Sequence, residues 1–214
     1  MRVLPVRGVT VALLSVLLPF LLVMGTVKLA FTESFVKLVY AVGDLPPDRW
    51  GMDDATRLRI ALLGLRAVLS EEGMEEFIKS GLFNEREIKH MKDVQKVLSY
   101  LTKAFYGILP LWVVGVVSLR DKRRIGGVFL IGGFLGLLLV LLSLLLSFLN
   151  YDALFEKFHN IVFDPYSWRF FDQDTLLRVY PMRFWFVSTL LAGILMLILS
   201  SVSLLVGLLL RKSR

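Results

Sequence analysis

The chain has 214 residues, 56% of them hydrophobic, a formal net charge of +7 and no cysteine. The missing cysteines exclude disulfides and thioester intermediates, and four long apolar runs exclude an ordinary soluble domain. A bilayer core about 30 Å thick needs roughly 20 helical residues, and backbone in lipid must satisfy its own hydrogen bonds, so the runs predict transmembrane helices.

The first span is predicted over residues 8–30. Arg2 and Arg7 precede it as in a signal peptide, but the run is too long for an h-region and no A-x-A-like site follows, so it reads as a retained anchor. Residues 31–97 form the first polar piece. Within it, 44–51, with Pro46, Pro47 and Trp50, reads as a turn whose indole suits a membrane interface. Asp53 and Asp54 then offer an N-cap for a helix whose apolar residues, from Leu58 to Leu69, leave its arginines on the opposite side. Asn84 with Glu87 three residues on resembles a capping box, and the helical pattern continues into a second span at 98–119. A connector at 120–124 leads to a third span at 125–149. Its glycines, Gly126, Gly127, Gly132, Gly133 and Gly136, suit close helix packing and not a phosphate loop, because no strand precedes them.

Residues 150–183 form a second polar piece, read as a long loop. A third of the residues over 151–186 are aromatic, more than an interfacial belt explains. The fourth span is predicted over 184–210, with a tail at 211–214. The segments flanking the spans on one side (both termini and the connector) hold nine basic residues and one acidic one, +8 against +7 for the whole chain. That segregation predicts cytoplasmic termini and extracellular polar pieces, and it accounts for the basic balance without nucleic acid. The expected fold is all-α: an integral membrane four-helix bundle with an extracellular helical cap.

Chemistry concentrates in the two polar pieces. The spans at 125–149 and 184–210 contain no ionisable residue, which argues against a transporter or channel. The chain has only two histidines, His90 and His159, one in each polar piece. Glu87 and Asp93 lie three residues from His90 on either side, within helical reach of its imidazole as orienting groups. No H-E-x-x-H is present, so no metal site is predicted, and no G-x-S-x-G elbow activates a serine. General acid and base work by imidazole remains, on a substrate that brings its own nucleophile.

The stretch HMKDV, with His90, Met91, Asp93 and Val94, and the stretch FHNIVFDPYSWRFFDQDTLLRVYPMRFW at 158–185 resemble the two signature stretches of the bacterial lipoprotein intramolecular transacylases. The family more often has two adjacent phenylalanines where this chain has Val162 and Phe163. The resemblance implies a multi-pass enzyme of the bacterial plasma membrane. It would move an acyl chain from the sn-2 ester of a diacylglyceryl-modified cysteine to that cysteine's α-amine, giving a lyso-form lipoprotein, without a cofactor. It also implies catalysis by His90 and His159. His90 is expected to be the base, oriented by Asp93, with the reverse assignment open. Phe158, Phe163, Tyr166 and Trp168 are expected to shape the lipid. The partners would be diacylglyceryl-modified lipoproteins and the bilayer. The competing expectation is a non-enzymatic membrane subunit that binds a lipoprotein or lipid unchanged.

Overall fold

A computed structural model describes residues 6–212, with side chains from residue 8 onward. The charges of Arg2, Arg7 and Arg214 that entered the orientation argument lie outside what is described. Among the described residues there are nine helices and no strand: α1 (Val6–Ala30), α2 (Glu33–Val42), α3 (Asp54–Leu69), α4 (Glu71–Lys79), α5 (Glu85–Ser118), α6 (Lys122–Leu149), α7 (Tyr151–Val162), α8 (Thr175–Val179) and α9 (Met182–Lys212). Four of them, α1, α5, α6 and α9, are long and apolar enough to cross a membrane. In α5 the charged residues crowd the first turns, and the apolar stretch of membrane length starts near Leu98.

The chain divides into two compact units. The first comprises residues up to 28, 102–145 and 191 onward, that is, the apolar lengths of the four long helices. Its core gathers Leu14, Leu18, Leu21, Trp112, Val116 and Val128. The indole of Trp112 donates to the Leu14 carbonyl at 2.8 Å, and Ser203 donates to the Phe129 carbonyl at 2.9 Å, so these two polar groups are partnered across apolar helices, whereas the buried hydroxyls of Thr26 and Ser200 are not. Leucines such as Leu138, Leu141, Leu142, Leu205 and Leu208 stay exposed, as befits surfaces that face lipid tails.

Glycines set the helix spacing in this unit. A Cβ on Gly207 would stand 2.6 Å from the Leu130 nitrogen, and one on Gly126 would stand 2.8 Å from the Gly207 carbonyl oxygen. Gly133 sits equally tightly against Ser200 and Leu204, and Gly132 against Leu18. Close packing, as expected, is what these glycines do, except Gly127, which has room for a side chain.

The second unit comprises residues 29–101 and 146–190. Its helices start on side-chain caps: Thr32 accepts from Phe35 N, Asp53 from Thr56 N, Ser70 from Gly73 N and Asn150 from Ala153 N. The Asn84–Glu87 box forms in full, with Asn84 N donating to Glu87 Oε2 at 2.8 Å and Glu87 N to Asn84 Oδ1 at 3.0 Å. Two readings of the sequence are corrected here. The second polar piece is not a long loop, because Asn150 caps α7 and Asp174 precedes α8. The arginines of α3 are not all turned outward: Arg57 is 1% exposed. Its Nε and Nη2 donate to the Arg178 carbonyl and its Nη1 to the Pro46 carbonyl and to Asp54 Oδ1, so the buried guanidinium spends its donors on two backbone oxygens and a carboxylate.

Candidate functional site

Both histidines belong to the second unit, so their relation rests on that unit alone. His90 lies in the second turn of α5, and a buried carboxylate holds that end of the helix. Glu87 is 1% exposed; its Oε1 accepts Leu176 N at 2.6 Å while its Oε2 accepts Asn84 N. One carboxylate thus caps the starts of both α5 and α8. Burial pushes the Glu87 carboxyl up, and the two backbone N–H groups pull it back. Asp174, beside α8, accepts from Asn84 Nδ2 at 2.9 Å, Arg86 Nη2 at 3.0 Å and Phe171 N at 2.8 Å. These bonds fix the segment between α7 and α8 against α5.

His159 lies in the last turn of α7. Its Nδ1 is 2.8 Å from the Phe155 carbonyl oxygen, which can only accept. The proton of the neutral ring is therefore on Nδ1, and the Nε2 lone pair is left available. The two imidazoles face each other with centroids 6.0 Å apart and planes 29° from parallel. They are 8% and 9% exposed, and His90 Nδ1 has no hydrogen-bond partner. Aromatic rings enclose them: Phe163 and Phe170 lie 5.0 and 5.5 Å from His90, while Phe155, Trp168 and Phe158 lie 3.9, 5.0 and 5.3 Å from His159.

Burial among these rings disfavours the imidazolium. His90 is lowered from its ordinary value of 6.5 to about 4, by desolvation first and by the neighbouring His159 second. His159 is also lowered by burial, against the opposing pull of the Phe155 carbonyl. Near neutral pH the site is therefore a pair of uncharged imidazoles in an aromatic cage.

Of the residues singled out from sequence, the structure brings together His90, His159, Phe158, Phe163 and Trp168. Tyr166 is not among them: its side chain is 87% exposed, and its backbone N–H closes a turn on Asp164. Glu87 does not orient the His90 ring, since its oxygens cap the two helices. Asp93 pairs with Lys96 at 3.9 Å. Phe155 and Phe170 complete the cage although sequence reasoning left them out of the site. Phe155 was within reach of that reasoning, because it precedes His159 by four residues, one helical turn. Phe170 sits outside any helix, and no spacing rule marks it. Among the described residues no group of three or more His, Cys, Asp or Glu side chains could hold a metal ion.

Four membrane-length helices, and a separate helical unit carrying two facing histidines in an aromatic cage, define an all-helical membrane protein with the parts of an acid–base catalyst. The chain belongs to the family described as lipoprotein intramolecular transacylase Lit, whose match covers residues 12–185. It is also similar to an uncharacterized protein of Aquifex aeolicus (strain VF5), with 41% identity over 206 residues and 94% of each chain covered. No solved structure matches. The family name implies transacylase activity with a lipoprotein as substrate.

Proposed function

We propose that the protein moves an acyl chain from the sn-2 ester of an S-diacylglyceryl cysteine to that residue's own α-amine, using the two histidines as proton carriers and donors. The amine nitrogen bonds to the ester carbonyl carbon, the bond to the sn-2 oxygen breaks, and the proton leaving nitrogen ends on that oxygen. The reaction is an isomerisation, so it consumes no co-reactant. The observation that carries this reading is the Phe155 carbonyl oxygen 2.8 Å from His159 Nδ1: a proton held there leaves Nε2 free to take the amine proton and return it to the leaving oxygen. This reverses the assignment expected from sequence. His90, kept neutral by burial, serves as an N–H donor to developing negative charge, and Asp93 has no part in orienting it.

The aromatic cage excludes water, which would otherwise compete with the amine and turn transfer into hydrolysis. Bringing amine and ester together within one folded lipid supplies much of the acceleration, since effective molarities of such closures reach about 10⁵ M or more. Phe158, Phe163, Trp168, Phe155 and Phe170 are the residues that shape the lipid for this. The protein works in the bacterial plasma membrane with both termini cytoplasmic and the histidine-bearing unit outside, where modified lipoproteins display their N-termini.

The test is fragmentation mass spectrometry of N-terminal lipopeptides from a diacyl lipoprotein coexpressed with this chain, in a host lacking its own N-acylation enzyme. Substrate and product share one total mass, so the fragments must locate the acyl chain. An N-acyl, monoacylglyceryl peptide is the expected product. A diacylglyceryl peptide with a free amine, beside folded protein, would instead favour lipid binding without chemistry.

A further inference from the structure

The cage contains a second buried polar atom that the acid–base scheme leaves unused. Nε1 of Trp168 is buried and has no hydrogen-bond partner. An indole nitrogen can only donate, and a buried donor left unpaired is costly, so it points to an acceptor that arrives with a ligand. The neighbourhood is otherwise well bonded. Ser167, fully buried, donates from both N and Oγ to the Asp164 carbonyl at 2.9 Å, and Tyr166 N donates to Asp164 Oδ1 at 3.0 Å. The turn that carries Trp168 is thereby built from its own hydrogen bonds, and the indole N–H takes no part in them.

A cation beside the ring favours an anionic acceptor over a neutral one, and a second unpartnered nitrogen lies nearby. The Arg169 guanidinium carbon stands over the Trp168 ring at 5.3 Å and is held there by Glu156 at 3.1 Å, so a cation polarises the indole and strengthens its N–H as a donor. His90 Nδ1, on the other ring neighbouring His159, is also unpartnered. Around His159, whose own Nδ1 is spent on Phe155, the cage therefore offers two unspent ring nitrogens for one substrate.

We propose that the Trp168 indole N–H is a catalytic hydrogen-bond donor that, with His90, binds the oxyanion formed when the amine adds to the ester carbonyl. The inference rests on the acyl-transfer reading above. The sn-2 carbonyl oxygen gains the negative charge as the carbon–nitrogen bond forms and loses it as the bond to the glyceryl oxygen breaks. Donors fixed in advance at that oxygen favour the adduct over the resting ester.

The experiment uses the full chain in proteoliposomes with a synthetic dipalmitoylglyceryl-cysteine lipopeptide bearing a free α-amine. Trp168→Phe is compared with replacement of Trp168 by β-(3-benzothienyl)alanine, which keeps the bicyclic shape and lacks the N–H. Loss of one oxyanion donor lowers kcat by about 10² to 10³. That drop is expected in both variants, with KM within about threefold and an unchanged pH profile, because indole does not titrate. Wild-type kcat in the benzothienyl variant, or a rise in KM at constant kcat, would overturn the inference while leaving acyl transfer intact. If the wild-type chain itself left the lipopeptide unchanged, both would fall.

Discussion

Acidification should destabilise the histidine-bearing unit, with His90 as a principal cause. In the unfolded chain its imidazole takes a proton near pH 6.5, but in the folded chain only near 4. Between those values the unfolded state binds more protons, so stability rises with pH; the contribution is complete above about 6.5 and is lost as pH falls toward 4. At about 1.4 kcal/mol per pH unit, the displacement amounts to about 3 kcal/mol, of which about 2.5 kcal/mol should be gone at pH 4.5. His159, also lowered, adds in the same direction. The assay is thermal unfolding of the detergent-solubilised chain between pH 7 and 4.5, followed by the near-ultraviolet circular dichroism of the cage. Carboxylates contribute equally to wild type and to His90→Gln, so the difference between the two profiles isolates the histidine. At roughly 4 °C per kcal/mol, the wild-type midpoint should fall about 10 °C further than that of the variant. Parallel profiles would refute the reasoning, because they would mean that the ring is already protonated when folded or is never desolvated.

Four further outcomes follow from the same contacts. Replacing either His159 or His90 with alanine should lower lipopeptide turnover by about 10² or more, with folded protein verified by circular dichroism. Glu87→Gln puts an amide where two backbone N–H groups need acceptors, so it should lower stability by about 1–3 kcal/mol in denaturant titrations. Gly207→Leu should depress the yield and melting temperature of purified protein, since its Cβ would meet the Leu130 backbone at 2.6 Å, whereas Gly127→Ala, with the nearest neighbour at 3.9 Å, should be silent in both measurements. Tyr166→Ala should leave turnover within about twofold, whereas Phe163→Ala, which strips a ring from both histidines, should lower it in the same assay.

The spans were legible because lipid tolerates few alternatives: a backbone that must bond to itself through an apolar run of some 20 residues is a helix. The Asn84–Glu87 box and the Asp53 cap were legible for a similar reason, since a cap is a local rule with a fixed offset. The burial of Arg57 was not, because the acceptors that justify it, the carbonyls of Pro46 and Arg178, lie 11 and 121 residues away. The same limit explains Glu87. Its spacing to His90 offered an orienting carboxylate, but the competing acceptor demand came from Leu176, 89 residues on. His90 and His159 could be paired only because the chain has no others, and Phe170 joined the site through a non-helical segment that carries no periodicity.

A pair of imidazoles that resists protonation looks unsuited to base catalysis until the nucleophile is considered. In the proposed reaction the α-amine, with an ordinary value near 8, must reach the ester unprotonated, and a cationic pair beside it would raise the cost of placing any residual ammonium in the cage. Once nitrogen has bonded to the carbonyl carbon it carries a positive charge and becomes a strong acid, so a weak base suffices to take its proton. The imidazolium formed on His159, disfavoured by burial, is then a strong acid toward the sn-2 oxygen a bond or two away. Lowering both histidines therefore speeds the return of the proton and leaves its removal easy, a match that holds for an amine, which attacks before it loses its proton, and fails for water, a weak nucleophile that needs a stronger base to take its proton as it attacks. Under the proposed mechanism the aromatic cage and the weak bases thus favour the same chemistry, aminolysis within one lipid over hydrolysis.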